Sequence, residues 1–268
     1  MRIVRQADVE QSLKALDISD GDAVLVHSDL MRFGRPENGI DTYLNAFDNV
    51  LEDMGTLSVP TFTFSFIQTG KYDCVETKSE NMGIFAEAVR RHPHTVRTRH
   101  PIQSLALKGR LAADLVALDT SSAYSEDGTF SALCDMHFKL VLLGAEPKHI
   151  SHSHLSEERA RVPYRFEKCV SGTSILVPEE DATSGSWHFF ARDLDLNVLP
   201  TGENKIVDQL LASGDWKSAE LNGVTIFAGT ASSFVAALDA KLKYDSLWMA
   251  PDRDELKKRM TDLDHRNA

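Results

Sequence analysis

An α/β fold, with a mixed and mostly buried β-sheet covered by helices, is predicted by three features of this sequence. Segments with apolar residues at helical spacing alternate with short apolar strands along most of the chain. Two later segments alternate in character and flank a turn, which indicates an antiparallel hairpin added to the βα units. The 268 residues contain no linker, low-complexity tract or internal repeat, so a single domain over 1–268 is expected.

The N-terminal half contains two helix-and-strand pairs. Apolar residues at helical spacing predict helices at 9–18 and 41–54, and each helix precedes a strand rich in β-branched residues, at 23–28 and 56–64. The next segment is polar and rich in turn residues, so it predicts a loop. The loop covers 68–82, and the helices that follow it are expected at 83–91 and 110–118.

The C-terminal half begins with a short apolar strand that ends in glycine, KLVLLG at 139–144. A helix at 155–161 precedes the hairpin, whose strands are expected at 168–177 and 186–191 around the turn 178–185. The remaining expected elements are helices at 204–212, 231–242 and 252–263, and a strand at 223–227.

Composition and charge narrow the class of function. The formal net charge of -11 argues against nucleic acid as a partner and is compatible with a cationic small molecule. No run approaches the ~18 apolar residues of a membrane span, and no signal peptide is recognised, so a cytoplasmic protein without a membrane partner is expected. The cysteines, Cys74, Cys134 and Cys169, lack CxxC spacing and indicate neither a disulfide framework nor a structural zinc site.

The segment HISHSHLSEER has the highest density of residues that carry chemistry. His154 lies three residues before Glu157 and four before Glu158, so a helix would place a carboxylate beside its imidazole. A carboxylate on one ring nitrogen fixes the tautomer and leaves the other nitrogen free to accept a proton, as a general base requires. Two alternatives are a solvated helix face and a metal site that uses His149, His152 and His154, although a clear further ligand is missing.

Two further segments carry candidate binding residues. Arg97, Arg99 and His100 precede Pro101 on a loop, where they could attract anionic phosphates or form a basic surface. His27, Ser28 and Asp29 emerge at the carboxyl end of the predicted strand 23–28, where ligands of α/β sheets collect. A buried histidine followed by a tight turn would give the same pattern.

Taken together, these segments resemble the aminoglycoside 3-N-acetyltransferase family of CoA-dependent enzymes. Each motif is weak alone, but their common order over about residues 15 to 240 is specific. The motifs are His27-Ser28-Asp29-Leu30 with Gly34, Gly55-Thr56-Leu57, Val59-Pro60-Thr61-Phe62-Thr63, Met82-Gly83-Ile84-Phe85, Arg97-Thr98-Arg99-His100-Pro101 with Ser104 and Gly109, Asp127-Gly128, Leu142-Leu143-Gly144, His154-Leu155-Ser156-Glu157 and Val162-Pro163-Tyr164-Arg165.

The resemblance implies transfer of an acyl group, expected to be acetyl, from acyl-CoA to an amine in a ternary complex. It implies that His154 is the catalytic base, which the helical spacing would pair with Glu157. No metal is expected, because the histidines lack a complete ligand set. The residues expected to contribute to the CoA site are His27, Ser28, Asp29, Arg97, His100 and Ser104. An additional acidic residue supports the histidine in some members, and Asp193 is the candidate here.

The chain departs from the family before the catalytic histidine, where threonine and asparagine are usual. Here the positions hold His149, Ser151 and His152. The acceptor is expected to be an amino sugar or an aminoglycoside. Because basic residues surround the expected base, an amino sugar that bears phosphate or carboxylate, such as a nucleotide-linked one, is favoured, and classical aminoglycoside antibiotics are expected to be poor substrates. A homo-oligomer is compatible with the resemblance. Competing hypotheses are a metal-dependent hydrolase and a catalytically inactive sugar-binding relative.

Overall fold

The central feature of the fold is a seven-stranded mixed sheet with strand order β11-β12-β8-β2-β4-β7-β6. The computed structural model describes residues 2–118 and 121–267, so Met1, Asp119, Thr120 and Ala268 of the expected span 1–268 lie outside the described residues. The strands are β1 Ile3–Val4, β2 Ala23–Ser28, β3 Arg35–Pro36, β4 Thr56–Pro60, β5 Lys71–Asp73, β6 Val96–Arg97, β7 Leu105–Gly109, β8 Lys139–Leu143, β9 Arg165–Ile175, β10 Thr183–Arg192, β11 Trp216–Leu221 and β12 Val224–Thr230.

Helices cover both faces of this sheet. They are α1 Gln6–Ala15, α2 Asp41–Leu51, α3 Phe66–Thr69, α4 Gly83–Arg90, α5 Ala112–Ala117, α6 Thr129–Asp135, α7 Ser153–Arg159, α8 Glu203–Ser213, α9 Ala231–Tyr244 and α10 Arg253–Asn267. Short 3-10 turns occupy Leu30–Arg32 and Pro147–His149. The mixed α/β fold expected from the sequence is therefore confirmed.

The sheet is buried because its central strands are apolar on both faces. In β2, Leu25 packs into a core on the side of α6 to α9, whereas Val24 and Val26 pack into a core on the side of α1, α2 and α4. Alternate residues of a strand point to opposite faces, so a continuous apolar run such as AVLV suits a strand covered on both sides. β2 pairs in parallel with both β4 and β8, which places the carboxyl ends of these three strands at one edge.

A smaller sheet of order β10-β9-β5 lies beside the central one. Strands β9 and β10 form the expected hairpin, with Val170 opposite Trp187, and β5 pairs in parallel with β9. This sheet has its own apolar cluster, which includes Phe66, Trp187 and Phe189. The hairpin begins at Arg165, six residues after the end of α7 at Arg159, so one of its ends lies near the histidine segment.

Several elements differ from the sequence-based expectation. The first helix begins at Gln6 rather than residue 9, and it ends at Ala15 because the backbone of Asp17 turns to a φ of 58°. The polar loop 68–82 contains the strand β5, whose residues pair with β9 rather than showing an apolar pattern of their own. The elements of five or more residues that the expectation lacks are β7, α6 and β11, which are five to seven residues long. The shorter elements β1, β3, β6 and α3, of two to four residues, were also not expected.

No helix in the described part of the chain is long and apolar enough to cross a membrane.

Phe130 on α6 provides a test of the core beneath the histidine segment. It is fully buried, stacks on Tyr124 at 4.3 Å between ring centroids and contacts the ring of His152 edge to face. Phe130→Ala should lower the free energy of unfolding by about 3–5 kcal/mol, because it removes apolar contacts and leaves a cavity. Urea denaturation measures the change, and Tyr244→Ala, at an exposed position, should shift it by no more than about 0.5 kcal/mol. Equal shifts for the two variants would contradict this packing.

Candidate active site

Two cavities meet at His154. The larger has a volume of about 1130 Å³ and lies between α7, the β9–β10 hairpin and the segment that leads into α8. The smaller has a volume of about 490 Å³ and lies at the carboxyl ends of β2, β4 and β8. The residues that line both are Phe62, Phe64, Lys148, His149 and His154. Ligand sites of α/β sheets form at such strand ends, and this pair could hold two substrates side by side.

The imidazole of His154 is held by the turn of α7 on which it lies. Its Nδ1 is 2.8 Å from Oε2 of Glu157, three residues later, and the Glu157 side chain is only 1% exposed. Arg165, at the start of β9, lies 2.9 Å from the same carboxylate oxygen. With Nδ1–H donating to Glu157, Nε2 is left as the acceptor nitrogen of the ring. The side chain of His154 is 36% exposed and borders both cavities.

Charge and burial keep this imidazole neutral. Burial lowers the pKa of His154 below its ordinary value, the charge of Arg165 lowers it further, and Glu157 opposes both. For Glu157, burial alone would raise the pKa, but the hydrogen bond from His154 and the charge of Arg165 lower it. The carboxylate is therefore ionised and His154 is neutral near pH 7. A neutral imidazole with a fixed tautomer can accept a proton from a bound group.

The other two histidines of the segment have different surroundings. His149 is exposed and lines both cavities, whereas His152 is fully buried against Phe130 and neither of its ring nitrogens has a hydrogen-bond partner. Burial lowers the pKa of His152 to about 3. Within the described residues, no group of three or more His, Cys, Asp or Glu side chains is arranged to hold a metal ion. The expected three-histidine cluster is thus divided between the surface and the core.

The smaller cavity contains the expected residues of the β2 end. His27, Ser28 and Asp29 line it together with His154. The Nε2 of the buried His27 accepts a hydrogen bond from the backbone N–H of Ser151 at 3.1 Å, which ties β2 to the segment before α7. Burial lowers the pKa of His27 to about 3. Gly144 at the end of β8 has a φ of 76° and approaches the backbone of Asp29 so closely that a Cβ would lie 2.6 Å from its carbonyl oxygen.

Arg97, His100 and Ser104, which the sequence placed in the CoA site, do not line either cavity. All three are buried. The guanidinium of Arg97 donates to the hydroxyl and carbonyl oxygens of Thr61 and to the hydroxyl of Ser104, among other neutral acceptors. His100 lies 3.1 Å from the carbonyl oxygen of His188 through its Nε2, so it links the two sheets. Their observed contacts are with other groups of the protein, so their expected role in the CoA site stays a prediction.

Asp193 and Glu203 both line the larger cavity, and they differ in environment. The Asp193 carboxylate accepts a hydrogen bond from the backbone N–H of Asp195 at 2.9 Å, while the carboxylate bonded to His154 is that of Glu157. Glu203, which the sequence analysis missed, is 4% exposed at the start of α8. Burial raises its pKa to about 7. In the sequence it looks like an ordinary acidic residue of a first helical turn.

The position of Glu203 depends on the glycine before it. Gly202 has a φ of 129°, and a Cβ there would lie 2.6 Å from the ring of Trp248. This backbone conformation favours glycine, so the pair Gly202-Glu203 is the signal that sequence reasoning could have used. The turn brings the Glu203 carboxyl near the Ser153 hydroxyl and the Glu157 charge. The larger cavity therefore contains two buried carboxyl groups, one ionised and one titrating near neutral pH.

The structure thus places a neutral, oriented imidazole on the wall of two adjacent cavities, and comparison with known proteins gives the family. The model of the family "Aminoglycoside 3-N-acetyltransferase" matches residues 25–243. The chain belongs to this family, and its enzyme class is that of the acyltransferases. This confirms the resemblance and the enzyme class expected from the sequence.

Relatives and solved structures show the same similarity. Aminoglycoside N(3)-acetyltransferase VII of Streptomyces paromomycinus is 30% identical over 179 residues, 60% of this chain and 62% of the relative, so the match spans less than two thirds of that protein. Aminoglycoside N(3)-acetyltransferase IX of Micromonospora chalcea is 27% identical over 90% of this chain and 95% of its own length. The structure of AAC-IIIb in a binary complex with CoASH has a TM-score of 0.77 at 21% identity and covers 91% of this chain and 97% of that chain, which confirms the fold.

Substitution of Arg97 tests whether this residue supports the fold or binds CoA. Arg97→Met should lower the free energy of unfolding by about 2–4 kcal/mol, because it leaves the buried oxygens of Thr61 and Ser104 without their donor. The KM for acetyl-CoA should change by no more than about twofold. Urea denaturation and initial-rate kinetics measure the two effects. Unchanged stability with a tenfold higher KM would instead support the contact with CoA that the sequence suggested.

The raised pKa of Glu203 predicts that the free energy of unfolding depends on pH. Between the ordinary value of 4.5 and about 7, the folded protein retains a proton that the unfolded chain has released. The stability of the wild type therefore falls as pH rises through this range. Glu203→Gln removes the effect, so the variant should gain up to about 3 kcal/mol relative to wild type between pH 4.5 and pH 8. Urea denaturation at the two pH values measures the gain, and a pH-independent difference would contradict the buried, protonated carboxyl.

Proposed function

We propose that this protein transfers an acyl group, acetyl in the simplest case, from acyl-CoA to the amino group of a small-molecule acceptor, with His154 as the general base. The observation that carries the proposal is the placement of His154, which borders both cavities and whose Nδ1 is bonded to a buried carboxylate. Family membership supports acyl-CoA as the donor, as does the AAC-IIIb complex with CoASH. The described chain would function as one acyltransferase domain.

In the proposed arrangement, the smaller cavity receives the thioester end of acyl-CoA, and the larger cavity receives the acceptor. His27, Ser28 and Asp29 line the donor side, and Asp193 and Glu203 line the acceptor side. Both substrates bind before reaction, so amine and thioester carbonyl are held together at the junction beside His154. Such positioning replaces an encounter in solution and supplies a large part of the rate enhancement.

The chemical step needs one proton acceptor. The amine nitrogen forms a bond to the thioester carbonyl carbon, and Nε2 of His154 takes the proton that the nitrogen loses. The tetrahedral intermediate then collapses, the C–S bond breaks, and CoA leaves as the thiol after it receives a proton from the imidazolium. Glu157 stabilises the imidazolium while it exists, because its carboxylate contacts the other ring nitrogen at 2.8 Å.

The proposed acceptor is an amino sugar or an aminoglycoside, the class named for the relatives from Streptomyces and Micromonospora. A nucleotide-linked amino sugar stays a prediction. The basic residues that suggested it have other contacts, since Arg165 pairs with Glu157 and Arg161 lies outside the larger cavity, over the ring of Phe190. A homo-oligomer and a cytoplasmic location also stay predictions.

The direct test of the proposed function is release of CoA thiol. Purified protein, acetyl-CoA and a panel of amines that includes glucosamine and kanamycin should release thiol in proportion to N-acetylated product, detected with a thiol reagent and by mass spectrometry. Calorimetry should show binding of CoA on its own. Absence of CoA binding at millimolar concentration, together with no thiol release, would contradict the proposed function.

His154→Gln tests the proposed base. The variant should lower kcat by about 10²- to 10⁴-fold while the dissociation constant of CoA changes little, because the proton acceptor is lost and the donor cavity is kept. His94→Gln, at an exposed histidine away from both cavities, should leave kcat unchanged. In the wild type, kcat should fall at acidic pH through a pKa below 6.5, the direction in which burial and Arg165 shift His154. Near-normal kcat in His154→Gln would assign the base to another group.

A further inference from the structure

We infer that the acceptor is an amine of low net charge that carries an apolar group beside the reacting amino group, rather than a polycation. This inference rests on the proposed function and names the substrate class of the larger cavity. Two independent properties of the wall support it. One is the distribution of exposed apolar side chains, and the other is the balance of its charges.

Exposed apolar side chains concentrate on the wall of the larger cavity. Among the described residues, eleven large apolar side chains are exposed, and four of them line this cavity. They are Phe64 at 42%, Phe166 at 48%, Leu194 at 71% and Leu199 at 62% exposed. Single exposed apolar residues are common on any surface, but several that converge on one cavity indicate a ligand that covers them.

These side chains come from separate parts of the chain. Phe64 follows β4, Phe166 lies on β9, and Leu194 and Leu199 lie between β10 and α8. Phe64 also lines the smaller cavity, so the apolar surface begins at the junction where His154 lies. An amine seated against His154 would therefore place its substituents along this surface.

The charges of the same wall nearly cancel. Glu157 pairs with Arg165, and Lys148 lies 2.5 Å from Glu146. Within the described part of the wall, the remaining groups without an ion pair are Asp193, Asp195, Glu203, Lys168 and Arg192. Glu203 is half protonated near pH 7, since burial raises its pKa to about 7. Two to three negative charges facing two positive charges do not provide the carboxylate-rich surface that several ammonium groups require.

The exposed apolar side chains and the near balance of charge favour the same kind of acceptor. A polycation would meet Lys168 and Arg192 as well as four uncovered apolar side chains, whereas an amine with an alkyl or aryl substituent would cover those side chains. Covering apolar surface contributes about 25 cal/mol per Å², so a substituent the size of a phenyl ring gains roughly tenfold or more in affinity. The gain should appear in KM rather than in kcat, because it does not depend on the transition state.

The test compares three acceptors in the thiol-release assay with acetyl-CoA. They are the methyl and phenyl glycosides of glucosamine, which have the same amine and charge, and kanamycin as the polycation. We expect kcat/KM for the phenyl glycoside to exceed that for the methyl glycoside by about tenfold or more, and to exceed that for kanamycin. Equal or lower values for the phenyl glycoside would overturn the inference and leave the proposed function in place.

Substitution of apolar residues in the wall of the larger cavity tests whether they cause the preference for the phenyl glycoside. The double variant Leu194→Ser and Leu199→Ser should reduce the ratio of phenyl to methyl kcat/KM towards one, while Tyr244→Ser, at a 95% exposed residue outside both cavities, should keep the ratio of the wild type. If the double variant keeps the full ratio and converts an oligomer to a monomer in light scattering, the apolar surface is a subunit interface and the inference is overturned.

Binding without acyl-CoA separates this inference from the proposed function. Calorimetry of the two glycosides with the protein alone should show tighter binding of the phenyl glycoside by about tenfold, and the double variant should lose that difference. If no acceptor releases thiol and CoA does not bind, the proposed function is contradicted, and the substrate class inferred for its acceptor is overturned with it. If thiol is released but the two glycosides bind equally, only the apolar acceptor is overturned.

Discussion

The ionised carboxylate of Glu157, held almost entirely out of water, is the constraint on which the site depends. A buried charge is tolerated only when donors and counter-charges surround it. Here Oε2 of Glu157 contacts both the imidazole of His154, on the same helix, and the guanidinium of Arg165, the first residue of β9. The same oxygen thus joins α7 to the hairpin sheet and fixes the direction of the imidazole. Loss of this carboxylate would release both partners together.

The rest of the fold brings two different surfaces to that imidazole. The central sheet contributes the carboxyl ends of β2, β4 and β8, which form the smaller cavity. The hairpin and the segment before α8 contribute the larger cavity. His27 connects the two parts, because it accepts from the backbone of Ser151 just before α7. A two-substrate reaction needs such a junction, since neither cavity alone would hold donor and acceptor in contact.

Contacts between residues close in the sequence were predicted from their spacing, whereas contacts between distant residues were not foreseen. The three-residue spacing of His154 and Glu157 predicts their contact, and the contact is observed because both lie on one short helix. The basic run around Arg97 gave no sign of burial, since its acceptors at Thr61 and Thr77 are 36 and 20 residues away in the sequence. Likewise, β5 and β11 exist through pairing with β9 and β12 rather than through a strong pattern of their own.

Burial has opposite effects on the pKa values of the two types of titratable group at this junction, and the proposed reaction would use both. It lowers the pKa of His154, so the base is free to accept a proton, and it raises the pKa of Glu203 to about 7, so this carboxyl can exist in either form. An acceptor that arrives as ammonium would shift Glu203 towards its ionised form, because opposite charges stabilise each other in a site with little water. In the proposed reaction the amine attacks in its neutral form, so the ammonium proton leaves to solvent before attack. Nε2 of His154 then takes the proton that the nitrogen loses as it bonds to the carbonyl carbon, and Glu157 stabilises the imidazolium. In the proposed function, binding of a single positive charge and removal of a proton during attack would thus fall to two different groups, the titrating carboxyl of Glu203 and the imidazole that Glu157 holds.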